Sequence, residues 1–179
     1  LHPALDLKPE EGTHYEIGYK LNAEKSAWRF AIFNYEVKDS VEAVKNEDES
    51  QGYDYFNKDI RNTGVELSVT LAHDNKWTSR WGITYHNPQA RDNNPDGYSD
   101  NAWHNYGSRY QFNSSLSYVD AKFSSTLKAN FVGDRTSDTK EQRHIKPQLF
   151  TDWHFSYQPQ ENLKVFLHIN NILDRRDIV

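Results

Sequence analysis

Hydrophobic and polar residues alternate along most of the chain with the period of two that is typical of β-strands. In the first run Tyr15, Ile17, Tyr19 and Leu21 share one phase, and the residues between them are polar or glycine. The same division returns in the runs 65–71, 77–85, 110–118, 123–131, 153–157 and 163–169. The pattern predicts antiparallel strands that each have one apolar and one polar face.

Short and long polar connections take turns between these runs. Segments 22–25, 74–75, 120–121 and 159–162 are short, whereas 39–57, 87–108 and 133–146 are long. Bacterial outer-membrane barrels have short periplasmic turns and long extracellular loops. We therefore expect an all-β fold, an antiparallel transmembrane β-barrel segment of about eight meander strands.

An eighth run changes phase in its middle, where Phe33, Tyr35 and Val37 follow Trp28, Phe30 and Ile32. A β-bulge near Phe33 would shift the phase in this way. The alternative is that the strand projects above the bilayer there, where the phase no longer matters.

Composition adds a constraint on where the apolar faces lie. Mean hydropathy is -0.95, yet aromatic residues make up 14% of the chain. A barrel can hide a lipid face in alternate residues of strands that are polar on average. Most runs are about 9 to 11 residues or longer, which suits a tilted membrane strand better than a soluble sheet.

Two other folds have the same alternation. A complete eight-stranded barrel would act as an adhesin or structural protein. A soluble β-sandwich would bury its apolar faces as a core and could bind carbohydrate through Trp77, Trp81 and Trp103.

Charge and residue types exclude several function classes. The net charge is -5 and no long basic run is present, so we expect no nucleic-acid partner. Without cysteine, disulfides and thiol catalysis are excluded. No nucleophile elbow, phosphate-binding glycine loop or zinc-protease motif occurs. We therefore predict neither an enzyme nor a resident cofactor.

Aromatic residues in the long connections are candidates for ligand contact, because binding residues concentrate on loops held by a rigid scaffold. The alternative is that they belong to a membrane-interface girdle or pack within the loops. The candidates are Tyr53, Tyr55, Phe56, Trp103, His104 and Tyr106.

The two phases divide the remaining candidates into two faces. We predict that Trp77, Trp81, Ile83, Tyr85, Trp153 and Phe155 face lipid. Charged and imidazole side chains in the other phase suit a wet lumen wall: Glu66, Arg80, Lys128, Asp152, His154 and His168. His154 and His168 lie on strands that should be neighbours, but we interpret them as wall residues and predict no metal site.

Three segments resemble TonB-dependent receptors. Residues 7–10 (LKPE) with 15–20 (YEIGYK) resemble an L-K-P-E…Y-E-L-G segment of that family, 62–67 (NTGVEL) its G-V-E-L strand, and 170–176 (NNILDRR) its N-x-L-D-x-x-Y segment. The resemblance implies a plugged 22-stranded barrel in the outer membrane of a Gram-negative bacterium.

The resemblance also implies a function and partners. Such a receptor imports a scarce nutrient, such as a ferric siderophore, haem or cobalamin, and is energised by TonB. Residues 1–179 would be the C-terminal portion of the barrel, without the plug domain and the final strand. Its partners would be outer-membrane lipid, TonB and the ferric siderophore, haem or similar ligand.

Overall fold

The computed structural model describes residues 7–45, 52–92, 102–136 and 144–176. Twelve β-strands lie in these ranges. They are β1 Glu11–Asn22, β2 Ser26–Lys45, β3 Tyr53–Ala72, β4 Trp77–Asp92, β5 His104–Asn105, β6 Gly107–Ser108, β7 Tyr110–Val119, β8 Phe123–Val132, β9 Arg135–Thr136, β10 His144–Ile145, β11 Gln148–Gln160 and β12 Leu163–Ile169.

Eight long strands form one antiparallel meander in the order β1-β2-β3-β4-β7-β8-β11-β12, and β5 pairs with the far end of β4. β10, β9 and β6 form a second, small sheet. The predicted all-β antiparallel fold is confirmed. In the described ranges, no helix is long and apolar enough to span a membrane.

The pairing differs from both alternative folds. The eight strands do not divide into two sheets packed face to face, and Trp81, whose face would be the core of a sandwich, is 44% exposed. Among the described residues β1 and β12 are not paired with each other, so the eight strands do not close on themselves. The eight strands therefore form an open sheet with β1 and β12 at its edges.

The predicted bulge near Phe33 is wrong. β1 pairs with β2 in unbroken register from Ala27 to Lys38, so alternation continues through Phe33 and places its ring on the polar face. The ring fits there because it lies over Gly64, where an added Cβ would be 2.6 Å from the Phe33 Cζ atom. Aromatic residues on a polar face therefore produced the apparent change of phase.

A bulge does occur farther along β2, between Val37 and Ser40. There Lys38 and Asp39 stand opposite the single residue Asp59, and Asp39 has a φ of 56°. The Asp39 N–H donates to Asp59 Oδ1 at 3.1 Å, which fixes the bulged backbone. An aspartate tolerates this left-handed conformation better than most residues.

The long connections are shorter than predicted because strands extend into them. β2 continues to Lys45 and β3 begins at Tyr53, so Tyr53, Tyr55 and Phe56 lie in a strand rather than in a loop. β4 continues to Asp92, and His104 lies in β5. Trp103 and Tyr106 flank β5 outside regular strands.

Two of the short turns share one mechanism. Asp74 Oδ1 accepts hydrogen bonds from the backbone N–H groups two and three residues later, both at 2.7 Å. Asp120 Oδ1 does the same, at 2.9 Å for both bonds. These backbone donors lower the pKa of both carboxyl groups, because they stabilise the charged form.

Three tryptophans on the apolar face donate their indole N–H to a serine on the same face. The pairs are Trp28 with Ser26 at 3.2 Å, Trp81 with Ser79 at 3.1 Å and Trp153 with Ser125 at 2.8 Å. The polar atom of each ring is thereby satisfied within the sheet, so serines on this face do not contradict its apolar character.

Candidate functional site

The polar face brings together the six charged and imidazole residues singled out in the sequence. Directly paired residues of antiparallel strands project to the same side of a sheet. Arg80, Lys128 and Asp152 lie in one row through Ser115, since each pairs with the next. His154 pairs with His168 in the neighbouring row, and Glu66 shares the face from β3.

The opposite face carries the six residues predicted to contact lipid. The register places the four residues from β4 on the same side of the sheet as the two from β11. These residues are Trp77, Trp81, Ile83 and Tyr85 in β4 and Trp153 and Phe155 in β11. Ile83 is 50% exposed. Aromatic rings follow one another across this face, with centroids 5.0 Å apart for Trp77 and Tyr118 and 5.8 Å apart for Trp153 and Phe155.

This apolar face ends at one row of the sheet. We call it the boundary row: Ile17, Ile32, Val65, Tyr85 and Tyr110. The lower sheet is the part of the eight strands between the short turns and this row. The upper sheet consists of the continuations of β2, β3 and β4 beyond it, together with β5.

Beyond the boundary row the two faces exchange character. The face that was apolar now carries Asn34, Thr63 and Asn87, followed by Arg61 and Gln89. On the opposite face Val37 and Ala90 are each 2% exposed, and both flank Ile60 in the register. Around Ile60 the upper sheet therefore buries part of the side that the lower sheet keeps polar, while Asn62 and His86 lie on the same side next to the boundary row.

Two arginines contact the ring of Trp103 on the outer side of the upper sheet. The Arg61 guanidinium lies 4.1 Å from the centroid of Trp103, and that of Arg91 lies 4.9 Å away. Arg91 also forms an ion pair with the buried carboxylate of Asp59 at 2.5 Å. Trp103 thus contacts two cationic side chains of the sheet. These contacts support the alternative that Trp103 packs within the long connection and does not contact ligand.

The structure divides the other ligand candidates by face. Register places Tyr53 and Tyr55 on the outer side of the upper sheet, and Phe56 and His104 on the side continuous with the polar face. Trp103 joins the first pair through its contacts with Arg61 and Arg91, and Tyr106 lies on the second side near Tyr35. Burial, followed by the proximity of Tyr35, raises the pKa of Tyr106. Its backbone N–H donates to the Pro88 carbonyl at 3.1 Å.

A cavity of about 400 Å³ opens on the polar face close to the boundary row. Tyr35 and His14 meet edge to face with centroids 6.3 Å apart, and the Asn62 amide lies 3.0 Å from His86 Nδ1. Phe33 completes the aromatic part of the lining. Sequence reasoning missed this group, although unbroken alternation through Phe33 would have placed it.

The comparisons with known proteins identify the family. The sequence model described as "TonB dependent receptor-like, beta-barrel" matches residues 2–172. The chain belongs to this family. The resemblance noted in the three short segments is therefore confirmed, and the sheet is part of a larger barrel.

Solved structures that share the fold include proteins named as transporters and receptors. The copper transporter OprC is 16% identical with a TM-score of 0.72, and the alignment covers 96% of this chain and 26% of that one. The ferric yersiniabactin uptake receptor FyuA from Yersinia pestis is 20% identical, with a TM-score of 0.72 and coverage of 93% and 25%.

The ferripyoverdine receptor of the outer membrane of Pseudomonas aeruginosa, in complex with ferripyoverdine, is 20% identical. Its TM-score is 0.66, with coverage of 94% of this chain and 24% of that one. The chain thus spans about a quarter of the length of these proteins. No curated protein sequence matches it.

Proposed function

We propose that the chain forms part of the wall of a Gram-negative outer-membrane receptor that takes up a scarce nutrient with energy from TonB. The cargo in this proposal is a ferric siderophore or another iron carrier. Residues 1–179 supply wall and external connections of the C-terminal part of the barrel rather than the moving plug. The observation that carries the proposal is the exchange of face character at the boundary row.

The exchange of face character at the boundary row is explained by a change of the surrounding solvent from hydrocarbon to water. In the lower sheet large hydrophobic side chains such as Ile83 remain exposed, which is stable where the surrounding medium is hydrocarbon. The opposite face carries Arg80, Lys128 and Asp152 in one row, which requires water in the interior. In the first rows beyond the boundary row, polar residues such as Thr63 and Arg61 lie outside, and buried apolar residues such as Val37 and Ala90 lie inside, as expected for strands that have left the bilayer.

This arrangement assigns roles to the two faces. The face of Trp81 contacts outer-membrane lipid, and the face of Arg80 lines the lumen. The short turns are periplasmic and the upper sheet is extracellular. TonB acts through parts of the receptor other than this wall.

The iron-carrier cargo is supported by two observations. FyuA and the ferripyoverdine receptor share the fold and carry ferric chelates in their names. The cavity beside the boundary row combines the rings of Phe33 and Tyr35 with hydrogen-bonding groups on Asn62 and His86, which suits a flat or aromatic chelate. Phe56, His104 and Tyr106 lie on the same side, toward the extracellular end.

Uptake of labelled iron tests the proposal. A strain that lacks the gene is complemented with the intact receptor and given ⁵⁵Fe as ferric catecholate, ferric hydroxamate, ferric citrate or haem. We expect receptor-dependent uptake of one of these, abolished when TonB is absent or the proton gradient is collapsed. Equal uptake of all four with and without the receptor would contradict the iron-carrier cargo.

A pair of variants connects uptake to the cavity. Tyr35→Ala and Asn62→Ala remove an aromatic and a polar contact from its lining, so we expect weaker ligand binding. Tyr53→Ala is the matched control, because Tyr53 is 56% exposed on the other side of the upper sheet. The same loss in all three variants would show that the cavity is not the contact surface.

A further inference from the structure

Two histidines face each other near the periplasmic end of the polar face. His154 of β11 and His168 of β12 are directly paired, with ring centroids 4.5 Å apart and ring planes at 47°. Directly opposed residues have Cβ atoms about 4.5–5.5 Å apart. Both imidazoles can therefore point a nitrogen at one position between the strands.

The ring nitrogens of this pair have no hydrogen-bond partner among the residues that the structure describes. Within the described ranges, neither His154 nor His168 forms a hydrogen bond or ion pair through its ring, and their contacts are with each other and with Phe166. Four other histidines differ, since each of them has a polar partner within 3.9 Å: His14 with Glu16, His73 with Ser79, His86 with Asn62 and His144 with Asp134.

The surroundings leave room for further ligands. The pair opens on a cavity of about 410 Å³ that is lined by the hydroxyl groups of Ser124, Thr126 and Ser156 and, four residues from His168 on β12, by Lys164. Ser124 and Ser156 Oγ atoms lie 2.7 Å apart and can hold ordered water. Phe166 contacts the His168 ring at 5.6 Å between centroids, which restricts the orientation of that imidazole.

We propose that His154 and His168 form a two-histidine site for a divalent transition cation. Neutral imidazole nitrogens bind Cu²⁺, Ni²⁺ and Zn²⁺ at about 2.0–2.1 Å, and affinity for such ligands is highest for Cu²⁺. Among the described residues no group of three or more His, Cys, Asp or Glu could hold a metal, so water completes the coordination. The bound cation is therefore exchangeable.

This inference goes beyond the proposed function, because the cation binds the wall itself without a chelating carrier and without TonB. The site lies three residues before β11 reaches Tyr157, where its pairing with β12 becomes irregular on the way to the periplasmic turn. Bridging β11 and β12 by a metal would join the two strands at this point. Occupancy is set by the free concentration of the cation.

The test uses the intact receptor in detergent, with CuCl₂ alone as the probe. Isothermal titration should show a saturable site that is lost in His154→Gln and in His168→Gln, because both imidazoles are needed. Electron paramagnetic resonance at one equivalent of Cu²⁺ should show coupling to two nitrogens, and each variant should lose this signal. Heat-modifiable gel mobility verifies that the variants are folded.

His14→Gln is the matched control, because His14 shares the polar face but has Glu16 as its partner. It should leave the copper titration unchanged. The proposal is overturned if no saturable Cu²⁺ site exists, if either His154→Gln or His168→Gln retains it, or if His14→Gln removes it. None of these outcomes depends on iron uptake, so the uptake and copper experiments can fail independently.

Discussion

The lower and upper sheets are made from the same strands, yet they turn opposite faces toward the outside. In β3 the outward residues are Leu67, Val69 and Leu71 below the boundary row but Thr63 and Arg61 above it. The backbone alternation is unchanged between them. This difference shows that the alternation of apolar and polar residues in a strand depends on the solvent around each face. A reversal of the alternation marks the level at which that solvent changes.

The largest expected effect comes from placing a charge on the outer side of the lower sheet. Trp81 occupies the third of five outward positions along β4 between the turn and the boundary row, so it lies near the middle of the apolar band. Trp81→Arg should destabilise the folded barrel by about 2–4 kcal/mol, because arginine would face hydrocarbon. Urea titration followed by heat-modifiable gel mobility measures this loss.

Two controls sharpen the comparison. Thr63→Arg adds the same side chain to the same face in the upper sheet, where it meets water, and should cost little. Arg80→Ala, on the polar face next to Trp81, should change stability by no more than about 0.5 kcal/mol. Similar losses for Trp81→Arg and Thr63→Arg would remove the distinction between the two sheets.

A smaller effect is expected when a buried side chain on the inner side of the upper sheet is shortened. Val37 is 2% exposed, and Val37→Ala removes two buried methyl groups worth about 0.8 kcal/mol each, together with a cavity term. Opening of the β2–β3 hairpin, measured by amide hydrogen exchange, should become about 2 kcal/mol easier. Val41→Ala, at a position 46% exposed in the same strand, should change it little, and an equal change would argue against an upper core.

The smallest effect concerns the turns of the lower sheet. Asp74 and Asp120 have pKa values lowered from 3.8 by backbone N–H donors. Their contribution to stability is present above the unfolded value and is lost as the pH falls through the folded pKa. The double variant with Asn at both positions keeps an acceptor oxygen but cannot titrate. Its unfolding free energy should therefore fall less than that of the parent below about pH 3.8, as checked by urea titrations across that range.

The lower sheet could be predicted from sequence because its alternation is long and regular. One phase is apolar at every position from Val65 to Leu71 and, apart from Ser79, from Trp77 to Tyr85, which predicts strands with one apolar face. The order of the strands followed from the alternating lengths of the connections. The proximity of His154 and His168 followed from that order together with their shared phase.

The upper sheet was missed because its pattern has the opposite sense. Segments 39–57 and 87–108 contain many polar residues, which indicate loops when an apolar outward face is expected. Phe33 and Tyr35 gave the wrong prediction of a bulge, since aromatic residues on the polar face imitate a change of phase. The packing of Trp103 against Arg61 and Arg91 depends on the path that the chain takes back to β5. A local pattern of apolar and polar residues does not predict that path.

The tryptophan–serine hydrogen bonds have a consequence for the depth of the barrel in the membrane. A tryptophan normally holds a protein at the head-group level because its N–H seeks a polar partner there. Trp28, Trp81 and Trp153 already have that partner within the wall. These three indoles therefore need no hydrogen-bond partner from the head groups, and in the proposed orientation we expect the hydroxyls of Tyr85 and Tyr110, in the boundary row, to mark the membrane–water interface instead.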